Sequence, residues 1–449
     1  MKILEYTLGL PPYRRGGLPE YSKDLSNELA KTNQVILMYP GSISILQKNK
    51  LKFKRKKSKY KFEIVEMQNP LPVSLGLGIN LPQHFMKEYD VSSIISFLKK
   101  EKFDVIHLHT LMGLPKEFVE VAQRMKIKII YTTHDFYGLC PKVLAPNVIS
   151  RLESTACSPD CMICPQGPST YKLWIMQTHL YKNIKDTLIM RKLRQVGKKS
   201  IRPDSPDKSI IKLSRQIALQ KLSLLNYYNE IFEKIDLFHF NSTVSQEYVK
   251  KFIPRVKGKV LNITLNSIKD ERKPLNFPSS CKNNKSLILG YVGPYDTKKG
   301  FFEFIKVAKQ LRKSNTNYKI VFCGDNVDNE FFNNNWVVNY GVLQKNKMKE
   351  FYSKVDLMVM PSLWHETFGF VALEAASKGI PCLVSKNVGS KDLLPASFAF
   401  KDDKELLDKL ISLTNNPELI WEYHKELNTI QLPLDFRRHC EEVLAGLYK

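Results

Sequence analysis

Apolar residues fall in short runs separated by stretches that carry them at helical spacing, and this alternation occupies two blocks of the chain. In the first block Lys2 to Leu8 reads as a strand, Pro11 to Gly17 as a loop, and Glu20 to Ala30 as a helix with one apolar face. Further strands are predicted at Val35 to Tyr39, Val105 to His109 and Ile127 to Thr133, with helices at Val91 to Lys100 and Pro115 to Met125. The second block opens with a strand at Ser286 to Val292, then a helix at Phe301 to Arg312 and a strand at Tyr318 to Cys323. A helix at Lys347 to Lys354, a strand at Leu357 to Met360, a helix at Phe370 to Lys378 and a strand at Pro381 to Ser385 complete it. Buried strands alternating with helices build parallel sheets covered on both faces, so the pattern predicts an α/β protein with two Rossmann-like, doubly wound domains.

The alternation fails between about 140 and 233, where a cysteine-rich loop, an aromatic and basic helical segment and a Lys/Ser/Pro/Asp stretch follow one another. That marks a helical, Cys-containing insertion in the first domain. Residues 266–285 carry two prolines and few apolar anchors, as a linker does. The expected division is a first domain at 1–265, a linker at 266–285 and a second domain at 286–425, with a C-terminal helix at 426–449 packing back on the first.

A length of 449 residues suits two to three domains and excludes a peptide-sized module. No stretch approaches the ~18 apolar residues of a membrane span, and the N-terminus lacks a small-residue cleavage site, so a cytoplasmic protein is expected. The formal charge of +25, concentrated in the first 250 residues, changes the picture by favouring phosphate-bearing partners. Nucleic acid, an anionic membrane and a phosphorylated small molecule all answer to it.

The window Met360-Pro-Ser-Leu-Trp-His-Glu366-Thr-Phe-Gly369-Phe-Val-Ala-Leu-Glu374 follows a buried strand and opens a helix. Amides at a helix N-terminus attract phosphate, and ligands of open parallel sheets gather at the carboxyl ends of the strands. With this window, the sequence resembles the glycosyltransferases of family 4, which share the two-domain GT-B fold and a pair of glutamates at the spacing of Glu366 and Glu374. The resemblance implies that Glu366 contacts the donor sugar, that Glu374 binds the ribose, and that the amides of Thr367, Phe368, Gly369 and Phe370 hold the distal phosphate. Gly16-Gly17, before the helix from Glu20, resembles the family's glycine loop over the donor phosphates. His134, in Tyr131-Thr-Thr-His-Asp-Phe-Tyr137, matches a histidine that faces the reacting sugar; His109 is left open, and His107 reads as structural. Gly290-Tyr-Val-Gly293-Pro294-Tyr-Asp-Thr-Lys-Lys299-Gly300 resembles the phosphate loop, with Lys299 at the lysine position and Pro294 where an arginine is usual. Gly324 and Gly341 are read as backbone turns.

The resemblance therefore implies a retaining transferase that moves a sugar from a nucleoside-diphosphate sugar to a glycan or lipid-linked acceptor in cell-surface polysaccharide assembly. Its active site is expected in the cleft between the two domains. No aspartate pair at i and i+2 occurs, so no catalytic metal is expected. Two other readings are weighed: another GT-B enzyme, such as a nucleotide-sugar epimerase or a sucrose- or glycogen-type synthase, and a basic nucleic-acid-binding protein. The second leaves the glutamate window without a purpose, so no nucleic-acid partner is expected.

Cys140, Cys157, Cys161 and Cys164 can supply four thiolates to one structural zinc, with reduced thiols or an iron-sulfur site as alternatives; Cys281, Cys323, Cys382 and Cys440 read as buried thiols. The run Lys48 to Lys61 holds nine basic residues around Phe53 and Tyr60. It reads either as a solvated face or as a patch that docks the protein peripherally on the anionic inner face of the plasma membrane.

Overall fold

A computed structural model of the chain describes residues 1–43, 50–74, 79–139, 169–178, 215–273, 286–416 and 418–449, with the isolated positions 181, 184 and 187. The cysteines at 140, 157, 161, 164 and 281, and Lys48 at the head of the basic run, lie outside the described residues. Two compact units emerge: Met1–Asn241 with Gln246–Leu261 and Phe436–Lys449, and Ser242–Ser245 with Asn262–Asp435.

The first unit is built from β1 (Lys2–Tyr6), α1 (Gly17–Leu29), β2 (Gln34–Pro40), β3 (Lys52–Lys56), β4 (Glu63–Gln68), α2 (Ser92–Glu101) and β5 (Val105–Leu108). It continues with α3 (Lys116–Arg124), β6 (Lys128–Thr132), α4 (Thr170–Gln177), α5 (Arg215–Phe232), β7 (Leu237–Phe240), α6 (Thr243–Phe252) and β8 (Gly258–Val260). Its sheet runs in the order β3-β4-β2-β1-β5-β6-β7-β8. All neighbours are parallel except β3 and β4. Helices cover both faces, so the central strands are apolar almost throughout: Ile3, Leu4 and Tyr6 are fully enclosed. Strand order changes direction between β1 and β5, and the carboxyl ends of those two strands carry Glu5, His107 and His109.

The basic run holds a strand that its charge conceals. Phe53 packs its ring against Phe97 with centroids 4.1 Å apart, while Lys52 and Lys54 project into solvent. A lysine-rich edge strand also discourages pairing with another sheet. Two of its cations are used inside the unit: Arg55 pairs with Glu63 and Glu101, and Lys56 Nζ lies 2.7 Å from the buried Glu66.

The second unit comprises β9 (Leu287–Val292), α7 (Phe301–Ser314), β10 (Tyr318–Cys323), β11 (Val337–Asn339), α8 (Lys345–Tyr352) and β12 (Leu357–Met360). After these come α9 (Phe370–Ser377), β13 (Cys382–Ser385), β14 (Ala399–Phe400), α10 (Asp403–Asn415) and α11 (Glu418–Thr429). Its six strands are parallel in the order β11-β10-β9-β12-β13-β14, with the change of direction between β9 and β12. Phe304, Leu311, Phe322 and Leu410 form part of a core that extends from the sheet to α10. Helix α11 stays with this unit, where Arg272 donates to the Leu427 and Ile430 carbonyls at 2.9 Å each. The chain then returns to the first unit through α12 (Phe436–Val443) and the π-turn Leu444–Tyr448. Their buried face carries His439, Cys440, Val443, Leu447 and Tyr448. Among the described residues no helix is long and apolar enough to cross a membrane.

Candidate active site

In the second unit two loops leave the sheet where its strand order reverses. The loop after β9 and the loop after β12 lie in backbone contact: the Leu363 and Trp364 amides both donate to the Lys298 carbonyl at 3.0 Å. Gly300, at φ +68°, permits this approach, because a Cβ there would stand 1.8 Å from the Pro361 carbonyl oxygen. The contact brings Lys299 to Glu366. Lys299 Nζ lies 2.8 Å from Glu366 Oε1, and the Ser362 hydroxyl donates to the same oxygen. Only 11% of the Glu366 side chain is exposed, so its charge is held by a cation and a hydroxyl while one carboxylate oxygen stays available.

The segment that follows is clamped from below. The Glu366 amide donates to the Asn387 carbonyl at 2.8 Å, Gly389 donates back to the Glu366 carbonyl at 3.0 Å, and the Ser390 amide donates to the Phe368 carbonyl at 2.6 Å. From Ser242–Ser245, the segment around the start of α6 that belongs to this second unit, Ser242 Oγ donates to the Thr367 carbonyl at 2.5 Å, and the Thr243 amide and hydroxyl donate to Asp392 at 2.6 and 2.5 Å. Gly369, at φ +91°, turns the chain into α9. The amides of Phe368, Gly369 and Phe370 therefore sit at a helix start, where intrahelical acceptors are lacking and the dipole is positive. One turn into the helix, Glu374 is half-buried and accepts from the Tyr352 hydroxyl at 3.0 Å. Burial raises its pKa, partly offset by that hydrogen bond.

Lys298 directs its ammonium over the Trp364 ring at 4.9 Å, and burial lowers its pKa. Pro294 is exposed, and its carbonyl accepts from the Tyr291 hydroxyl at 2.7 Å. Gly324 and Gly341 both have positive φ, and a Cβ on Gly324 would strike the Gly293 backbone at 2.6 Å. Both are turns that shape this edge.

In the first unit His134 stands just beyond β6, beside His109: His134 Nε2 and His109 Nδ1 are 3.2 Å apart, and the Tyr21 ring lies 4.9 Å from that of His134. Burial holds both imidazoles neutral, pushing His134 well below its usual range and His109 to about 3. His107 is fully enclosed, with one ring nitrogen on Thr132 and the other on Tyr448. Gly16, at φ +123°, precedes α1, whose first residue is Gly17; no atom lies within 4 Å of where a Gly16 Cβ would be. Gly16 is exposed.

Among the described residues one group, Glu5, His107 and His109, brings three potential metal-ligand atoms together. Their contacting atoms face hydrogen-bond partners within the protein, so this is a hydrogen-bonded cluster before it is a cation site. Cys323, Cys382 and Cys440 are free, buried thiols. Sequence reasoning passed over Glu5, Tyr448, Ser362 and Ser242. Glu5 alone gave a signal, as a charge inside the apolar run Ile-Leu-Glu-Tyr.

Comparison with known proteins adds family information to this geometry. Residues 272–428 match the sequence model of the family described as glycosyl transferases group 1. An uncharacterized 41.2 kDa protein of the cps region of Klebsiella pneumoniae is 30% identical over 127 residues, covering 27% of this chain and 34% of that protein. An uncharacterized 42.6 kDa protein of the same region in that organism is 24% identical over 317 residues, covering 68% of this chain and 64% of that protein. The chain thus spans about a third of the first relative's length and just under two thirds of the second's. The crystal structure of Anabaena HepE in complex with UDP aligns over the full length of both chains with a TM-score of 0.56 at 14% identity. The shared fold is GT-B, built from two Rossmann-like domains.

Proposed function

We propose that this chain, with its glycosyl transferases group 1 domain over residues 272–428, is a retaining glycosyltransferase. It moves a sugar from a nucleoside-diphosphate sugar to a glycan or lipid-linked acceptor in the assembly of a cell-surface polysaccharide. The observation that carries this reading is the Lys299–Glu366 pair beside the α9 N-terminus, at the carboxyl edge of the second sheet. It sets a cation, a row of amides and a carboxylate side by side, which is what a sugar diphosphate presents in complement.

In this reading Glu374 binds the ribose, and the amides of Thr367 to Phe370 hold the distal phosphate. Lys299 neutralises charge on the leaving diphosphate, Lys298 adds a second cation in place of the arginine absent at Pro294, and no divalent metal is required. Glu366 is assigned the donor sugar, and by the family resemblance His134 is assigned the reacting sugar and Gly16-Gly17 the donor phosphates. The sugar–phosphate C–O bond breaks as the acceptor oxygen attacks the same face of the sugar carbon. The acceptor's proton passes to the leaving phosphate oxygen. The cps-region relatives support a polysaccharide setting. Exposed Lys52, Lys54, Lys57, Lys59 and Lys61 would dock the protein on the anionic inner face of the membrane, and the four clustered cysteines would hold one structural zinc.

The test is turnover. Purified protein is incubated with a panel of UDP-, GDP-, ADP- and dTDP-sugars and lipid extract from polysaccharide-producing membranes. Acceptor-dependent release of one nucleoside diphosphate, with the product retaining the donor's anomeric configuration by NMR, is expected. Transfer with inversion would sink the retaining mechanism, and sugar release that ignores acceptor would sink the transferase reading.

A further inference from the structure

A continuous line of hydrogen bonds crosses the interior of the first unit and ends at His134. It starts at the Leu261 carbonyl, 2.7 Å from His239 Nε2; His239 Nδ1 faces Thr132 Oγ1 at 2.8 Å, and Thr132 Oγ1 faces His107 Nε2 at 2.6 Å. His107 Nδ1 then meets the Tyr448 hydroxyl at 2.7 Å, and that hydroxyl meets Glu5 Oε1 at 2.7 Å. The other Glu5 oxygen lies 2.6 Å from His109 Nε2, and His109 Nδ1 leads to His134. Glu5, His107, His109, Thr132 and His239 are wholly shielded from solvent.

A proton census decides how this line is charged. The Leu261 carbonyl only accepts, so His239 carries its proton on Nε2 and its Nδ1 accepts a hydrogen bond from the Thr132 hydroxyl. Thr132 in turn accepts from His107 Nε2, and a neutral His107 accepts from Tyr448. The tyrosine's single proton is then committed, yet its oxygen still faces Glu5. The five contacts from Leu261 to Glu5 need five protons, and His239, Thr132, His107 and Tyr448 in neutral form supply four. The fifth sits on Glu5, or else His107 or His239 is doubly protonated. Burial separates the two cases: Glu5, His107 and His239 are all wholly shielded, so a neutral acid avoids burying a carboxylate together with an imidazolium, and the same burial raises the pKa of Glu5, lowers that of His239 to about 4 and pushes that of His107 well below its usual range.

We propose that Glu5 is a neutral carboxylic acid in the folded protein and a positioning residue that fixes the tautomers of His109 and His134. Glu5 Oε1–H donates to the Tyr448 oxygen, so Oε2 accepts from His109 Nε2–H. The neutral His109 then offers a bare Nδ1, which His134 Nε2–H must meet. His134 therefore keeps its lone pair on Nδ1, and every contact that nitrogen makes is as an acceptor. The other titratable groups that interact electrostatically with Glu5 include Tyr21 on α1 and Cys440 on α12, both held in their neutral, protonated forms by burial. The catalytic relevance of His134 rests on the function proposed above; the protonation state of Glu5 does not.

The test separates the two. Infrared difference spectra of wild type against Glu5→Gln at neutral pH should show one protonated-carboxyl band, sensitive to deuterium and lost in the variant. The Gln amide can donate to Tyr448 and accept from His109, so Glu5→Gln should melt within about 2 °C of wild type. It should also leave the histidine 15N tautomer shifts unchanged. Tyr448→Phe breaks the line at its middle and should lower the melting temperature by about 3 °C or more. Absence of the carboxyl band, a doubly protonated buried imidazole in wild type, or one bound divalent ion per chain lost in Glu5→Gln would each overturn the proposal. All these readouts stand even if no transfer activity is found.

Discussion

Gly300 offers a quantitative test of how the two loops of the second unit are held together. Alanine there would place its Cβ 1.8 Å from the Pro361 oxygen and 2.6 Å from the Pro361 carbonyl carbon, both backbone atoms that no side-chain rotation can move. The residue also sits at φ +68°, which costs an L-residue ~1–2 kcal/mol, and overpacking adds ~1–3 kcal/mol as the loops separate. The expected loss is ~2–5 kcal/mol, or roughly 5–15 °C in the melting of this unit. Gly379 supplies the control within the same unit: it has φ +78°, but its nearest atom is 3.8 Å from an added Cβ. Gly379→Ala should therefore pay the backbone term alone, ~1–2 kcal/mol. Both variants and wild type are unfolded in urea while fluorescence is followed. Equal destabilisation by the two alanines would refute the backbone contact that carries Lys299 to Glu366.

Three further outcomes follow from the same geometry. Lys299→Met removes the cation from the 11%-exposed Glu366 and from the proposed diphosphate site, so kcat/KM should fall by ~10- to 100-fold, about 1.5–3 kcal/mol for a charged hydrogen bond; unchanged kinetics would remove Lys299 from the site. Burial raises the Asp135 carboxyl from 3.8 to about 6 despite hydrogen bonds from Thr110 and the Tyr137 amide. The folded state then holds a proton that the unfolded state releases near 3.8, so this group's contribution to stability is full below that pH and is lost as pH rises to about 6. Asp135→Asn should flatten the urea-stability profile across that window, and an unaltered slope would contradict the shift. Glutamate at Lys52, Lys54, Lys57 and Lys59 spares the paired Arg55 and Lys56 and should weaken flotation with anionic vesicles, most strongly at low salt; equal flotation would leave the run as a solvated face.

What the sequence displays is what is local. Strands such as β1, β5, β9, β10 and β12 are short apolar runs because both faces of each sheet are covered, and that pattern is readable whatever the strands pair with. The Glu366–Glu374 window is equally local, a strand, a turn and a helix in succession. By contrast β3 is hidden in the sequence because an edge strand with no fully buried side chain, only the half-buried Phe53 and Lys56, does not need the apolar alternation that marks a strand. The pairing of Lys299 with Glu366 depends on two loops meeting, and the contact of Tyr448 with Glu5 spans 443 residues of chain. No periodicity encodes such distances. His134 was singled out by resemblance alone, and its neighbours His109 and Tyr21 come from other elements of the fold.

The central claim is that the β9 and β12 loops with α9 hold a nucleoside diphosphate. Calorimetric titration of the purified protein with UDP, GDP, ADP and dTDP measures this directly and requires neither the sugar nor the acceptor. The account predicts one-to-one binding of at least one of these. That binding should weaken by ~10-fold or more in Glu374→Ala, which loses the proposed ribose contact, while the variant keeps its fold. Failure of all four nucleotides to bind folded wild-type protein, or binding that Glu374→Ala leaves unchanged, would contradict it.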